Sequence, residues 1–297
     1  MEHVLTCILN EKAGSGRAAE AKELIIRIAN GRGWDARVLL CSSGSDLDDL
    51  SKQALAAGGL VVAGGGDGTI AAVAAALVGT DIALGVLPIG TLNHFAKDLG
   101  IPLELEKAVQ TLFTGSVIHV DVGEVNGRIF LNNSSIGFYP QIVQEREREQ
   151  RQGYGKWRAA AHAAVRVLHR SRTLHVALSD DHDRRQSYDT PFVFVGNNRY
   201  TLAGLQIGTR AALDGGKLWL CAAPHAGRFK LLTLALKGLL GLVHDIDLAA
   251  FEIAETEVRL RQRRVIVATD GEVCEMQTPL RYRTRPGALR VVVPAIT

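Results

Sequence analysis

Six residues, Gly64-Gly65-Gly66-Asp67-Gly68-Thr69, follow the apolar run Leu60-Val61-Val62-Ala63 without a break. Residues without a Cβ let a backbone turn sharply and bring its N–H groups close to an anion, and Asp67 beside Thr69 adds a carboxylate able to hold a metal ion. Polyphosphate with Mg2+ suits that pattern: Gly65, Gly66, Gly68 and Thr69 as the phosphate turn, Asp67 as metal ligand. A plain strand-to-helix turn is the reading these residues must be weighed against.

Such a turn needs elements on both sides, and the chain supplies them. Strand-like runs over residues 3–9, 35–40, 61–65 and 82–87 alternate with helical patterns ending near Ala29, over 45–57, over 70–77 and over 104–113, and a strand over 117–122 carries Asp121. About 120 residues of alternating strand and helix predict a parallel sheet. In open sheets of this kind ligands lie beyond the carboxyl ends of the strands, so three loops should converge. These are the loop with Asn10 and Gly14, the glycine turn, and Pro88-Ile89-Gly90-Thr91-Leu92-Asn93-His94. Asp121, inside an apolar strand, is either a buried structural acid or a further metal ligand.

Composition narrows the function class. The 297 residues suggest two domains, and 47% hydrophobic with 22% charged is ordinary for a globular protein. A net charge of +3, with few aromatics and none interleaved with the charge, argues against a nucleic-acid partner. Cys7, Cys41, Cys221 and Cys274 show no CxxC spacing and read as reduced residues of a cytoplasmic protein. The N-terminus has no signal-peptide pattern, and the most apolar later window is too short to span a bilayer.

Beyond residue 120 the pattern changes. Residues 128–137 read as one strand, and residues 141–172 as a long charged helix with Arg158, His162, Arg166 and Arg170 along one face. That face is either solvated or docks on anionic lipid headgroups. Runs over 174–178, 191–196, 217–222, 248–253, 257–260 and 264–268 predict a β-rich domain, interrupted by an apolar helix over 228–244 that is either buried or flanks an acyl chain.

Gly64-Gly65-Gly66-Asp67-Gly68-Thr69, followed by Leu87-Pro88-Ile89-Gly90-Thr91-Leu92-Asn93-His94-Phe95-Ala96, resembles the diacylglycerol kinase catalytic-domain family, which includes bacterial lipid kinases and sphingosine kinases. The glycine motif alone is shared with NAD kinases; the second motif separates the lipid kinases from them. The resemblance implies a phosphofructokinase/NAD kinase-like α/β domain over residues 1–120 and an antiparallel β-sandwich domain over 121–297. ATP and Mg2+ would be the cofactors and a lipid hydroxyl the acceptor. It places Asn10 to Gly14, the turn from Gly66 to Thr69, Thr91 and Asn93 around the phosphates, with Cys41 near the nucleotide. It matches Leu213-Asp214-Gly215-Gly216 to a structural magnesium turn held by Asp214. It also puts Asp270-Gly271-Glu272 beside the acceptor, with Asp270 or Glu272 as base. Two positions depart from the family pattern: Glu11 stands where a Pro is usual, and His94 where an Asp is common.

The expected activity is ATP- and Mg2+-dependent phosphorylation of a diacylglycerol-like lipid. The alternatives are an NAD kinase-like enzyme or a lipid-binding regulatory protein that has lost turnover. The expected partner is lipid at the inner membrane face, reached by peripheral contact, and a homodimer stays open.

Overall fold

The computed structural model describes residues 3–137, 174–179, 185–201, 209–222 and 249–295. The basic helix expected over 141–172 and the apolar helix expected over 228–244 lie outside the described residues. The chain divides into two compact units, Met1–Val122 with Pro286–Thr297, and Gly123–Arg285. The last dozen residues thus belong to the first unit, whereas the sequence places everything beyond 120 in the second.

In the first unit, strands β1 (Val4–Asn10), β2 (Asp35–Cys41), β3 (Leu60–Gly65) and β4 (Ala83–Pro88) pair in parallel in the order β2-β1-β3-β4. Helices α1 (Arg17–Gly31), α2 (Gly44–Ala57), α3 (Asp67–Leu77), α4 (His94–Asp98) and α5 (Leu105–Thr114) connect and follow them. β3 is buried along its whole length, which is why it reads as a continuous apolar and glycine run. α3 buries Ile70, Val73, Ala74 and Leu77, and its alanines allow close packing. β5 (Ser116–Val125) carries the chain out of this unit, and β16 (Leu280–Val293) returns it, pairing Arg290 and Val291 in parallel with Ala83 and Leu84 of β4. That added parallel strand is the reason the C-terminus falls in the first unit.

The second unit is antiparallel. One sheet joins β12 (Ala249–Ile253), β11 (Leu218–Ala222), β10 (Phe192–Asn197), β7 (Asn133–Gly137), β14 (Arg264–Thr269) and β15 (Glu272–Gln277) in that order. The other contains β6 (Arg128–Phe130), β8 (Leu174–Ser179), β9 (Arg185–Thr190) and β13 (Glu255–Arg259), with the adjoining parts of β5 and β16. Alternate residues from both sheets, among them Ile136, Val193, Val195, Leu218, Leu220 and Val267 against Val176, Val258, Leu280 and Tyr282, form one buried core. This is the sandwich arrangement, each sheet contributing every second side chain. The single strand expected over 128–137 is two strands, β6 and β7, broken at Leu131 and Asn132. The break matters for the site.

Candidate active site

In the first unit, three loops meet where the parallel strands end. The helix α3 has Gly66 as its N-cap, a residue with no side chain to cap it, and its first internal bond runs from Ile70 N–H to Gly66 O at 3.1 Å. The N–H groups of Asp67, Gly68 and Thr69 therefore have no intrahelical acceptor and carry the positive end of the helix dipole, an arrangement suited to phosphate.

The loop after β4 lies hard against this turn. Gly90 N–H donates to Gly65 O at 3.0 Å, and a Cβ on Gly90 would stand 2.3 Å from Gly66 Cα. Only a residue without a side chain allows that approach. Asn93, in the left-handed region with φ 52°, donates its amide to Pro88 O at 3.3 Å and Gly90 O at 3.0 Å, fixing the curve of the loop. Its Oδ1 is buried and, among the described residues, accepts no hydrogen bond. Thr91 and Leu92 are exposed beside it. Asp67 crosses the gap between the loops: Oδ1 accepts the Phe95 N–H at 3.1 Å, so the carboxylate caps α4 and keeps Oδ2 for another partner.

The loop after β1 completes the group. Asn10 Nδ2 donates to Thr69 Oγ1 at 3.0 Å, while Asn10 Oδ1 accepts Lys12 N–H at 2.9 Å. Gly14, with φ 62°, leaves so little room that a Cβ there would come 2.3 Å from Ile89 O. Glu11, where the resembling family usually has Pro, uses the N–H that Pro would lack: it donates to Cys41 O at 3.0 Å and ties this loop to the end of β2. Cys41 itself is buried, and burial pushes its thiol up, with Asp46 and Glu11 adding to the effect. The structure therefore brings Asn10, Gly14, Gly65, Gly66, Asp67, Gly68, Thr69 and Asn93 together. His94 is exposed at the start of α4.

Asp121 and Asp214 have their own surroundings. Asp121 is buried in β5 and accepts the Gly287 N–H at 2.8 Å, which holds the point where β16 passes through a left-handed residue, φ 59°. That bond gives Asp121 a partner within the same unit. Asp214 is exposed on a turn pinned by Asn198, whose Oδ1 accepts Gly215 N–H at 2.9 Å and whose N–H donates to Lys217 O at 3.0 Å. Among the described residues no three His, Cys, Asp or Glu side chains gather as a metal cluster. The donor set around Asp67, one hard carboxylate oxygen next to a phosphate-type turn, still fits Mg2+, which usually takes one or two carboxylates and completes its shell with phosphate and water.

The second unit contains a different kind of site. Asp270 and Gly271, with φ of 49° and 85°, form the two-residue turn between β14 and β15, where Thr269 pairs with Glu272. Such a turn needs positive φ at both positions, so Asp-Gly is the sequence that makes it. The turn aims the Asp270 carboxylate at the break between β6 and β7. Oδ2 accepts Leu131 N–H at 2.7 Å, and Oδ1 accepts Asn132 N–H at 2.8 Å and Asn133 N–H at 3.1 Å. Burial pushes this carboxyl up to about 6, against the pull of the three N–H groups and the Arg210 guanidinium. Glu272 is different: its side chain is 57% exposed, and it pairs with Arg128 Nη2 at 2.7 Å, while Arg128 Nε donates to Thr269 Oγ1 at 2.8 Å.

Sequence reasoning did not single out Arg210, Asn132, Asn197 or Arg128. The available signal was a pair of Asn doublets, Asn132-Asn133 and Asn197-Asn198, each ending an apolar run, a position where buried amides usually serve a network.

Comparison with known proteins places this geometry. Residues 4–125 match the family described as Diacylglycerol kinase catalytic domain, and residues 141–293 the one described as YegS C-terminal NAD kinase beta sandwich-like domain. A protein of Pseudomonas syringae pv. syringae named "Probable lipid kinase YegS-like" is 34% identical over 270 residues, covering 89% of this chain and 86% of its own length. One of the same name from Pseudomonas aeruginosa PAO1 is 30% identical over 298 residues, covering 96% and 91%. The crystal structure of a diacylglycerol kinase from Bacillus anthracis superposes with a TM-score of 0.72 at 22% identity, covering 98% of this chain and 97% of that one, a likeness of fold.

Proposed function

We propose, from the premise that this chain belongs to the diacylglycerol kinase catalytic-domain family and is a lipid kinase moving phosphate onto a lipid hydroxyl, that its donor is ATP with Mg2+ and its acceptor a diacylglycerol-like lipid. The observation that carries the reading is the uncapped start of α3, with the loop after β4 pressed against it through Gly66 and Gly90.

The N–H groups of Asp67, Gly68 and Thr69 would hold phosphate oxygens, with Asn10 keeping Thr69 in place and Asn93 keeping Gly90 in place. Asp67 would hold Mg2+ through Oδ2, its Oδ1 being engaged by Phe95. When bound, the metal offsets charge on the phosphate oxygens. Asp270 is the base. The acceptor oxygen forms its bond to the γ-phosphorus, the bond to the ADP oxygen breaks, and the hydroxyl proton passes to the Asp270 carboxylate. A carboxyl held near 6 is ionised at neutral pH and a better proton acceptor than an ordinary aspartate. Glu272, exposed and paired with Arg128, is left to hold Arg128 and, through it, Thr269.

Among the described residues no helix is long and apolar enough to cross a membrane. On this reading the lipid acceptor is met at the cytoplasmic membrane surface by peripheral contact. The test is γ-labelled ATP offered with Mg2+ to a total lipid extract and, separately, to NAD. Label in a lipid that co-migrates with phosphatidic acid is expected. Label in NADP, or in no product, overturns the reading.

A further inference from the structure

Residues 131–133 have two sides. Their three N–H groups grip Asp270, and the Leu131 and Asn132 carbonyls point into a buried polar cluster. There Arg210, 5% exposed, donates Nη1 to Leu131 O at 2.7 Å and to Asn197 O at 3.0 Å, and Nη2 to Asn132 Oδ1 at 2.8 Å. Asn197 adds its own bonds to the same segment: Nδ2 to Leu131 O at 2.9 Å and its backbone N–H to Asn132 O at 2.9 Å. Asp270 N–H closes the arrangement by donating to Asn133 O at 2.9 Å. The Arg210 guanidinium also lies over the Tyr200 ring, 5.5 Å from its centroid.

A buried cation is costly to desolvate, so a guanidinium is tolerated here through the three buried acceptors that surround it. The bonds that satisfy these acceptors also fix where the segment at residues 131 and 132 lies. Peptide groups whose carbonyls accept strong donors are polarised and give stronger N–H bonds on the other side. The planar fork fixes two acceptors of one segment at once, which a lysine cannot do.

We propose that Arg210, together with Asn197, is the positioning residue of the general base. The two hold residues 131 and 132 through the Leu131 and Asn132 carbonyls and the Asn132 amide, so that the N–H groups of 131–133 hold the Asp270 carboxylate in the one orientation that faces the acceptor hydroxyl. This rests on Asp270 being the base. Arg210 is the charged group, among the described residues, that acts on Asp270; Arg128 on β6 is committed to Thr269 and Glu272.

The experiment compares wild type, Arg210→Met, Arg210→Lys and Asp270→Asn, with lipid kinase kcat per folded enzyme, KM for ATP and the pH profile of kcat/KM. Arg210→Met is expected to lower kcat about 10- to 100-fold, the scale of a misplaced catalytic group, with KM for ATP unchanged. It also moves the acid limb of the profile to higher pH, because a cation beside the carboxylate is gone. Arg210→Lys is expected to leave the acid limb in place and still lower kcat, since the charge stays and the fork is lost. Should Arg210→Met fail to fold, Arg210→Lys carries the test: wild-type kcat in that variant overturns the proposal. If Asp270→Asn is inactive while both Arg210 variants keep wild-type kcat and limb, with only melting temperature reduced, Arg210 is structural and the proposal falls alone. If Asp270→Asn turns over like wild type, the base assignment fails and the proposal with it.

Discussion

The two units build their functional surfaces from opposite materials. In the first, the turn after β3 and the loop after β4 act through main chain: Gly66 and Gly90 touch where side chains cannot fit, and Asn10, Asn93 and Asp67 tie loops together. In the second, one carboxylate is the proposed working group, and a buried arginine and two amides hold the segment that grips it. The difference fits what each would bind on the proposed function. A polyphosphate offers many equivalent oxygens and is met by a concave backbone full of N–H groups. A single hydroxyl proton must be met by a single atom at one angle, which needs a framework around it. The first surface should thus be sensitive to added bulk and the second to lost charge.

The largest expected effect lies on the charge side. Asp270→Asn keeps size and the left-handed backbone, which Asn tolerates, and removes the proton acceptor. Turnover should fall about 10²- to 10⁴-fold, the usual worth of a general base, with ATP affinity by equilibrium titration unchanged. Gly90→Ala tests the bulk side. Its Cβ would be placed 2.3 Å from Gly66 Cα, backbone against backbone, with no flexible side chain to give way. Overpacking of this kind costs about 1–3 kcal/mol, so chemical denaturation should show the loss, and ATP affinity should fall with it. Equal ATP affinity in Gly90→Ala and wild type would erase the contrast between the two surfaces.

How much of this was legible beforehand follows the same division. The parallel strands and the glycine turn were readable because buried parallel strands are continuous apolar runs and glycine clusters announce tight backbone. Asp270-Gly271 was visible as a motif, yet β15 and β16 after it were not assigned. Their alternation is diluted by Glu275, Arg281, Arg283 and Arg285, several of which pair across strands with residues far away in sequence, as Arg283 does with Glu124 at 2.7 Å. Arg210 was illegible for a stronger reason. Nothing in its own neighbourhood distinguishes a surface arginine from a buried one; its acceptors come from residues 131, 132 and 197, which only the fold brings together. Asp121 was legible as an acid in an apolar strand, but its partner, the Gly287 N–H, lies 166 residues away.

The pH dependence sharpens the account of Asp270 by asking for two opposite trends from one group. With its carboxyl raised to about 6, kcat/KM should lose activity as pH falls through about 6, because the protonated form cannot accept the hydroxyl proton. Stability runs the other way. The folded state holds this proton more tightly than the unfolded chain, so the group's contribution is fully present below its unfolded value of 3.8 and is lost as pH rises through about 6. Melting temperatures of wild type and Asp270→Asn should therefore diverge across that interval while the activity limb is crossed. Two curves that stay parallel would mean that Asp270 titrates as an ordinary solvated carboxylate.

The smallest effect belongs to Asn10→Ala. The lost bond to Thr69 Oγ1 is a single partly buried side-chain contact, worth about 1 kcal/mol, or roughly five-fold in affinity. The backbone N–H groups that would hold phosphate survive the change, and only the restraint on Thr69 and the Lys12 turn is lost. KM for ATP should rise by about that factor, with kcat and the acid limb untouched, since Asn10 reaches Thr69 and the Lys12 turn and not Asp67 or Asp270. A kcat loss comparable with that of Asp270→Asn would mean that Asn10 touches the transferred phosphoryl group itself, and that side-chain chemistry, not backbone shape, governs the first surface as well.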